Sequence, residues 1–337
     1  MGDAQTCVHA PPWNSVLTGH RKSEVAGASP AVPGAGAGAG LADVSGAQPA
    51  AAKEGAAKAQ GASAVAPEHA AKVRVGVAED RNTRWRRTME DTHIYMPEFG
   101  GVRGQTLLAV FDGHAGRFAA EWCQEHFHEH LAQVMHEYPN MPIPEVLNQT
   151  YLRVDDHLED ASQKSDTRSG CTAVTVLLRS ERGPENDEMR RMLYTANVGD
   201  ARAVLCRGGR ALRLSYDHKG SDPQEHRRIS EKGGFLLNNR VNGVLAVTRS
   251  LGDFSMKEFI IGAPYTTALE LQSADEFLIV ACDGLWDVLD DQAAVDLVRG
   301  VADPAAAAQT LMSHALGNFC TDNILSLIHI SEPTRPR

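Results

Sequence analysis

Nowhere does the chain hold an apolar run approaching the roughly 18 residues that a membrane-spanning helix needs, so none is expected. Its start, MGDAQTCVHAPPW, lacks both the basic opening and the apolar stretch of a secretory signal. MGDAQT matches the N-myristoylation pattern formally, but Asp3 and the scarcity of Lys and Arg nearby argue against acylation. The 6 cysteines, at 7, 123, 171, 206, 282 and 320, include no C-x-x-C pair, and most lie in predicted apolar elements. This fits a protein of a reducing compartment, the cytoplasm or nucleus. H-E-x-x-H is also missing, which with the cysteine spacing excludes the common zinc sites, and no EF-hand loop occurs. A net charge of −10 excludes a general nucleic-acid binder, which needs a basic footprint.

What is present divides unevenly. Residues 25–66 are dominated by Ala and Gly, with few large apolar side chains to offset chain entropy, so residues 1–70 are read as a disordered extension. Alternation begins at Val73 in KVRVGVAED. From there strands are expected at 73–78, 106–111, 171–178, 192–198, 201–206 and 277–281. Helices are expected at 115–138, with Phe118, Trp122, Leu131 and Met135 on the apolar face, at 143–158, 290–300 and 304–316. Another opens at Asp222-Pro223 and closes at Gly233. The 337 residues thus carry one mixed α and β domain of about 260 residues, with no internal repeat.

One pattern recurs. TLLAVFDGHAG, from 106, is an apolar strand that ends abruptly in Asp112, Gly113 and His114. FLIVACDGLWD ends the same way at Asp283 and Gly284, LYTANVGDARAVL is interrupted at Gly199 and Asp200, and Asp322 follows a helix. Glu90 and Asp91 stand side by side earlier. One Asp-Gly after a strand is ordinarily a turn. Several carboxylates at one sheet rim repel each other and resist dehydration, and a hard divalent cation with oxygen ligands resolves that conflict. Magnesium or manganese is the metal left once zinc and EF-hand calcium are excluded. Gly113, with no side chain, lets its carbonyl approach such an ion. His126 and His130, four apart on a helix, lack a third soft ligand and are read as flanking its apolar face.

Seven ordered segments, WRRTMED (85–91), FDGHAG (111–116), SGCTAV (169–174), ANVGDAR (196–202), RVNGVLAVTRSLGD (240–253), ACDGLWDV (281–288) and TDN (321–323), resemble the metal-dependent serine/threonine phosphatases of the protein phosphatase 2C family. The resemblance runs from Val73 over about 250 residues and is similar to the fungal members that dampen stress-activated MAP kinase cascades. It implies an α+β, four-layer α-β-β-α sandwich with two central, mainly antiparallel sheets flanked by helices, over residues 71–330. It also implies two Mg²⁺ or Mn²⁺ ions and a third, weaker one. Asp112 would bridge the pair, Glu90 and the Gly113 carbonyl would complete one ion, and Asp283 and Asp322 the other. Asp200, Asp283 and Asp287 would hold the third, with Thr172 close by. Asp91 would act on metal-bound water, Arg86 would grip substrate phosphate, and His114 would be the general acid.

Two divalent ions about 4 Å apart can share a water and lower its pKa enough to supply hydroxide near neutral pH. The expected substrates are phosphorylated proteins, MAP kinases among them, and the expected state is a monomer. Asp253 is read as a structural turn or ion pair, Arg240 as a support, Trp286 as core packing, and residues 217–245 as a segment flanking the site that sets substrate choice.

Rival chemistries fail on the sequence. No cysteine has an arginine six positions later, and Asp112 is followed two residues on by His114 where a haloacid-dehalogenase-type phosphatase needs Asp. An inactive relative serving as a binding module is the alternative, although Glu90, Asp112, Asp283 and Asp322 are all present. After TDN the family pattern continues as an alternating strand, whereas this chain reads ILSLIHISEPTRPR. That stretch resembles translated sequencing-adapter read-through, so residues 324–337 are read as a non-native tail. Its apolar residues can still fill a strand, but the two prolines of SEPTRPR end it, which puts the placement of Asp322 at risk.

Overall fold

The structure, a computed structural model, describes residues 73–183 and 188–331. The extension expected over residues 1–70 lies outside the described residues.

Strand β1 (Val73–Asp80) starts where the alternation does. β2 (Thr92–Met96) and β3 (Thr106–His114) pair as neighbours, and two long helices follow, α1 (Phe118–Glu137) and α2 (Ile143–Lys164). The chain returns through β4 (Gly170–Arg182), β5 (Met189–Val198), β6 (Arg202–Arg207) and β7 (Arg210–Arg213). Helix α3 (Pro223–Glu231) and the short strands β8 (Leu236–Leu237), β9 (Arg240–Val241) and β10 (Leu251–Gly252) come next. The remaining elements are β11 (Tyr265–Glu270), β12 (Asp275–Ala281), α4 (Asp283–Trp286), α5 (Asp291–Val298), α6 (Pro304–Gly317) and β13 (Ile324–Ser331).

Two large sheets result, in the order β1-β13-β12-β6-β7 and β11-β5-β4-β3-β2, with β10 adding to β4, while β8 and β9 pair separately. Every pairing between these strands is antiparallel. The sheets stack, and the period of two along each strand assigns its side chains to layers. On β3, Leu107, Ala109 and Phe111 face α1 and α2, while Leu108 and Val110 enter the space between the sheets. On β12, Phe277, Ile279 and Ala281 face α5 and α6, and Leu278 and Val280 point between the sheets. Burial on both faces explains why these strands read as unbroken apolar runs. The architecture is the four-layer α-β-β-α sandwich implied by the resemblance.

Three helices start on the same device. Asp222, Asp290 and Asp303 accept backbone N–H bonds as N-caps of α3, α5 and α6, with proline leading α3 and α6. Helix α1 departs from expectation. Its buried stripe is Ala119, Ala120, Cys123, Phe127, Leu131 and Val134, while Phe118, Trp122 and Met135 pack only partly at its edge. The segment from 217 forms a small unit with its own core of Ile229, Val241 and Ile260. Buried Glu225 anchors it, accepting from Arg249 at 2.6 Å, Arg228 at 2.8 Å and Thr248 at 2.9 Å.

The apolar residues after Asn323 fill a strand, as their pattern allows, and form β13. It lies between β1 and β12 with Ile324, Leu325, Leu327 and Ile328 buried.

Candidate active site

Strand ends from both sheets bring the acids to one place. Asp112 stands near the end of β3, two residues before His114, Asp200 follows β5, Asp283 opens α4 directly after β12, and Asp322 precedes β13. Carboxylate oxygens of Asp112, Asp200 and Asp283 lie within 4.8 Å of one another, although the residues span 171 positions of sequence (283 − 112 = 171). Two glycines make the approach possible. A Cβ on Gly113 would stand 2.4 Å from the Glu90 carbonyl oxygen, and one on Gly284 would stand 1.9 Å from that of Asn323. Side chains are therefore forbidden at the two contacts that bring Glu90 beside Asp112 and Asp283 beside Asp322. The tight backbone at Glu90 is a reason for Gly113 that spacing alone does not reveal.

Asn323 ties the same loops from the side. Its amide donates to the Arg81 carbonyl at 2.8 Å and the Thr88 carbonyl at 3.0 Å, and its oxygen accepts the Glu90 N–H at 2.9 Å. Glu90 is held further by Thr88 Oγ1 at 2.8 Å and the Gly116 N–H at 3.1 Å. Asp322 ion-pairs with Arg86, whose Nε also donates to the Thr321 carbonyl at 3.1 Å.

Burial and mutual repulsion dominate the electrostatics. The carboxyl of Asp112 is raised well above its ordinary range, first by burial and then by Asp283, Asp91, Asp200 and Asp322. Asp283 is raised in the same way, by burial and then by Asp200, Asp322 and Asp287. Asp91 is pushed up to about 7, chiefly by burial. Its Oδ2 is buried with no hydrogen-bond partner among the described residues, as is Oγ1 of Thr172, which pairs across the sheet from Asp112. Buried oxygens that lack donors, set among carboxylates that repel each other, fit a hard divalent cation.

Every predicted site residue falls on the loops and strand ends of this cluster or beside it. Glu90, Asp91, Asp112, Gly113, Asp200, Asp283 and Asp322 gather here. Asp287, one turn along from Asp283, is reached by Lys219 at 3.5 Å from the exposed side. His114 Nε2 lies 2.7 Å from Asp253 Oδ2, and Asp253 also accepts from Ser250 Oγ at 2.5 Å. Sequence alone assigns Asp253 no place in the site beyond a turn or ion pair. The observed pair is with His114 itself. Trp286 is core packing as expected, donating Nε1–H to the Ala281 carbonyl at 2.9 Å beneath the Arg202 guanidinium. Arg240 bonds the Val244 carbonyl inside its own hairpin rather than the site. His126 and His130 stack on Trp122, with ring centroids 4.4 and 5.9 Å away.

Comparison with known proteins shows the family. The family profile described as Protein phosphatase 2C matches residues 75–324. Protein phosphatase 2C homolog 1 of Schizosaccharomyces pombe is 46% identical over 263 residues, 78% of this chain and 74% of that protein. Its namesake in Saccharomyces cerevisiae is 45% identical, over 76% of this chain and 92% of that one. Among solved structures, a C. elegans sex-determining protein superposes with a TM-score of 0.69 at 26% identity, covering 78% of this chain and 65% of that one. No helix among the described residues is long and apolar enough to cross a membrane. With the sandwich, the gathered carboxylates and these relatives in agreement, the chain belongs to the protein phosphatase 2C family of serine/threonine protein phosphatases.

Proposed function

We propose that this phosphatase depends on Mg²⁺ or Mn²⁺ and hydrolyses phosphoserine and phosphothreonine in proteins by direct transfer to water, without a covalent enzyme intermediate. The observation that carries the reading is the convergence of Asp112, Asp200 and Asp283 to within 4.8 Å in a partly buried setting. Glu90, Asp112, the Gly113 carbonyl, Asp283 and Asp322 would hold two cations, and Asp200, Asp283 and Asp287 a weaker third. When bound, such ions supply compensating charge and a water acidified toward neutral pH.

The protein's own groups do the rest. Arg86 presents a planar fork suited to two phosphate oxygens and exchanges its Asp322 partner for substrate. Asp91 Oδ2 can accept a proton from the attacking water. His114 gives a proton to the departing seryl or threonyl oxygen. Because Asp253 engages Nε2, the nitrogen available for that transfer is Nδ1. Following the motif resemblance noted in the sequence, phosphorylated MAP kinases of the cytoplasm or nucleus are taken as substrates, with the enzyme acting as a monomer.

The reading is tested by phosphopeptide turnover against Mn²⁺ concentration, before and after EDTA. Activity that appears with Mn²⁺ and vanishes on chelation is expected. Turnover that survives full chelation would refute the metal assignment, and a folded chain that stays inert with Mn²⁺ would favour a binding module.

The Asp253 contact carries its own prediction. Asp253→Asn should lower phosphoserine-peptide turnover by about 10²-fold, the scale of a mispositioned proton donor. Hydrolysis of p-nitrophenyl phosphate should change far less, because its leaving group departs without a proton. Equal losses on both substrates would show that Asp253 supports the fold rather than the acid.

A further inference from the structure

Lys219 sits at the start of the segment flanking the site and reaches back into the carboxylate cluster. Its Nζ lies 3.2 Å from Asp200 Oδ2 and 3.5 Å from Asp287 Oδ1. Asp200 in turn stands within 4.8 Å of Asp112 and Asp283. Two of the three side chains assigned above to a weak third cation are therefore already paired with one cation that belongs to the protein.

The backbone explains why this lysine is placed there. The His218 N–H donates to the Gly199 carbonyl at 2.9 Å, and the Thr248 N–H donates to the His218 carbonyl at 2.9 Å. Lys219 itself bridges to Val247, and its carbonyl accepts the Asp222 N–H at 3.0 Å. Its main chain is thus pinned beside Gly199 and Asp200. The side chain keeps its freedom: it is 37% exposed, and Asp287 is 60% exposed, against 7% for Asp200. A long flexible stem of this kind can hold its ammonium at the rim or release it to water.

The charges around the cluster do not divide evenly. Two divalent cations balance Glu90, Asp112, Asp283 and Asp322. Asp200 and Asp287 remain, and Lys219 cancels one of their two negative charges. A third divalent cation arriving at Asp200 and Asp287 meets an ammonium at ion-pair distance from both, and like charges that close cannot share the position cheaply.

We propose that Lys219 is a built-in competitor for the third cation. It pairs with Asp200 and Asp287 while two ions are bound, and it swings out when a third enters. The lysine then sets the weak affinity of that site, and occupancy is coupled to the segment that Lys219 opens. The proposal rests on the metal reading above.

The test is Mn²⁺ binding to the full chain, counted by the electron paramagnetic resonance of free Mn²⁺ and by calorimetry. Lys219→Met keeps the stem and removes the charge, whereas Lys219→Arg keeps the charge. Lys219→Met should leave the two tighter ions unchanged and tighten the third by about tenfold, the scale expected for removing one like charge at short range. Lys219→Arg should stay near wild type, and Asp287→Asn added to Lys219→Met should abolish the gain. A third-site affinity equal in wild type and Lys219→Met, with the tight pair retained, overturns the role of the lysine alone. A wild-type chain that binds no tight pair overturns the metal reading and this proposal with it.

Discussion

Asp283→Asn is expected to remove phosphopeptide turnover and, in the absence of metal, to raise the melting temperature. Both effects come from one charge. The carboxyl is buried against Asp112 and Asp200, and its protonation is already favoured by burial and by the negative neighbours Asp200, Asp322 and Asp287. Asparagine preserves shape and one acceptor oxygen while it removes a charge that the metal-free protein must hold against repulsion. Relief of about 1 kcal/mol, a modest share of such a repulsion at an effective dielectric near 20, corresponds to about 2–4 °C. With Mn²⁺ present the same change deletes an anionic ligand, and turnover should fall on the order of 10²–10³-fold, the scale of losing one electrostatic group from a reacting site. A residue that mattered only for the fold would lose stability and activity together. Thermal melts in EDTA beside initial rates in Mn²⁺ separate the cases, and near-native turnover would contradict the ligand role.

The elements legible in the sequence are those whose local chemistry is strong. Leu107–Phe111 reads as a strand because both faces are buried, and α3 reads as a helix from Asp222, Pro223 and Gly233 alone. Strands β2, β7 and β11 are not legible. THIYM and RALR are short, and YTTALE is half exposed along its length at a sheet edge, so none carries a sustained apolar period. The face of α1 misleads because small residues, Ala119, Ala120 and Cys123, make up half of its fully buried stripe. Bulky Phe118, Trp122 and Met135 carry more hydrophobic signal but are only partly buried at its edge, so size points one way and burial the other.

The site divides along the same line. Asp112, Asp200 and Asp283 are visible because each follows an apolar run, where a charged residue needs a reason. Asp253, Asn323 and Lys219 are not, since their roles exist only through partners far along the chain. His114 and Asp253 are 139 residues apart, and Asn323 and Glu90 are 233 apart. No spacing rule reaches across such distances, and only the antiparallel register that aligns the strand ends brings those residues together.

His329→Leu should stabilise the chain and flatten its acid sensitivity. The imidazole lies on β13, opposite Val75 of β1 and Leu278 of β12, on the face turned toward the second sheet. It is 3% exposed, and its Nε2 has no hydrogen-bond partner among the described residues. Ser326, on the same strand, also buries an oxygen with no hydrogen-bond partner among the described residues. Burial, and then the positive charge of Arg191, lowers His329 from 6.5 to about 4. In the unfolded chain the ring takes up a proton near 6.5, whereas the folded chain refuses it until about pH 4. Between those values the unfolded state binds more protons, so stability falls as pH drops through the window and is unaffected by this group above it. The difference of 2.5 between the two values (6.5 − 4 = 2.5) amounts to about 3 kcal/mol at the acid end. Leucine fills comparable space and carries no titrating nitrogen. At pH 7.5 it should add about 1–3 kcal/mol by removing the unsatisfied polar atom. Near pH 4.5 the advantage should widen, because wild type by then carries most of its proton penalty. Urea unfolding of both proteins at the two pH values measures the difference. An unchanged gap between them would mean that His329 finds a proton acceptor in the core and that the strand tolerates its charge.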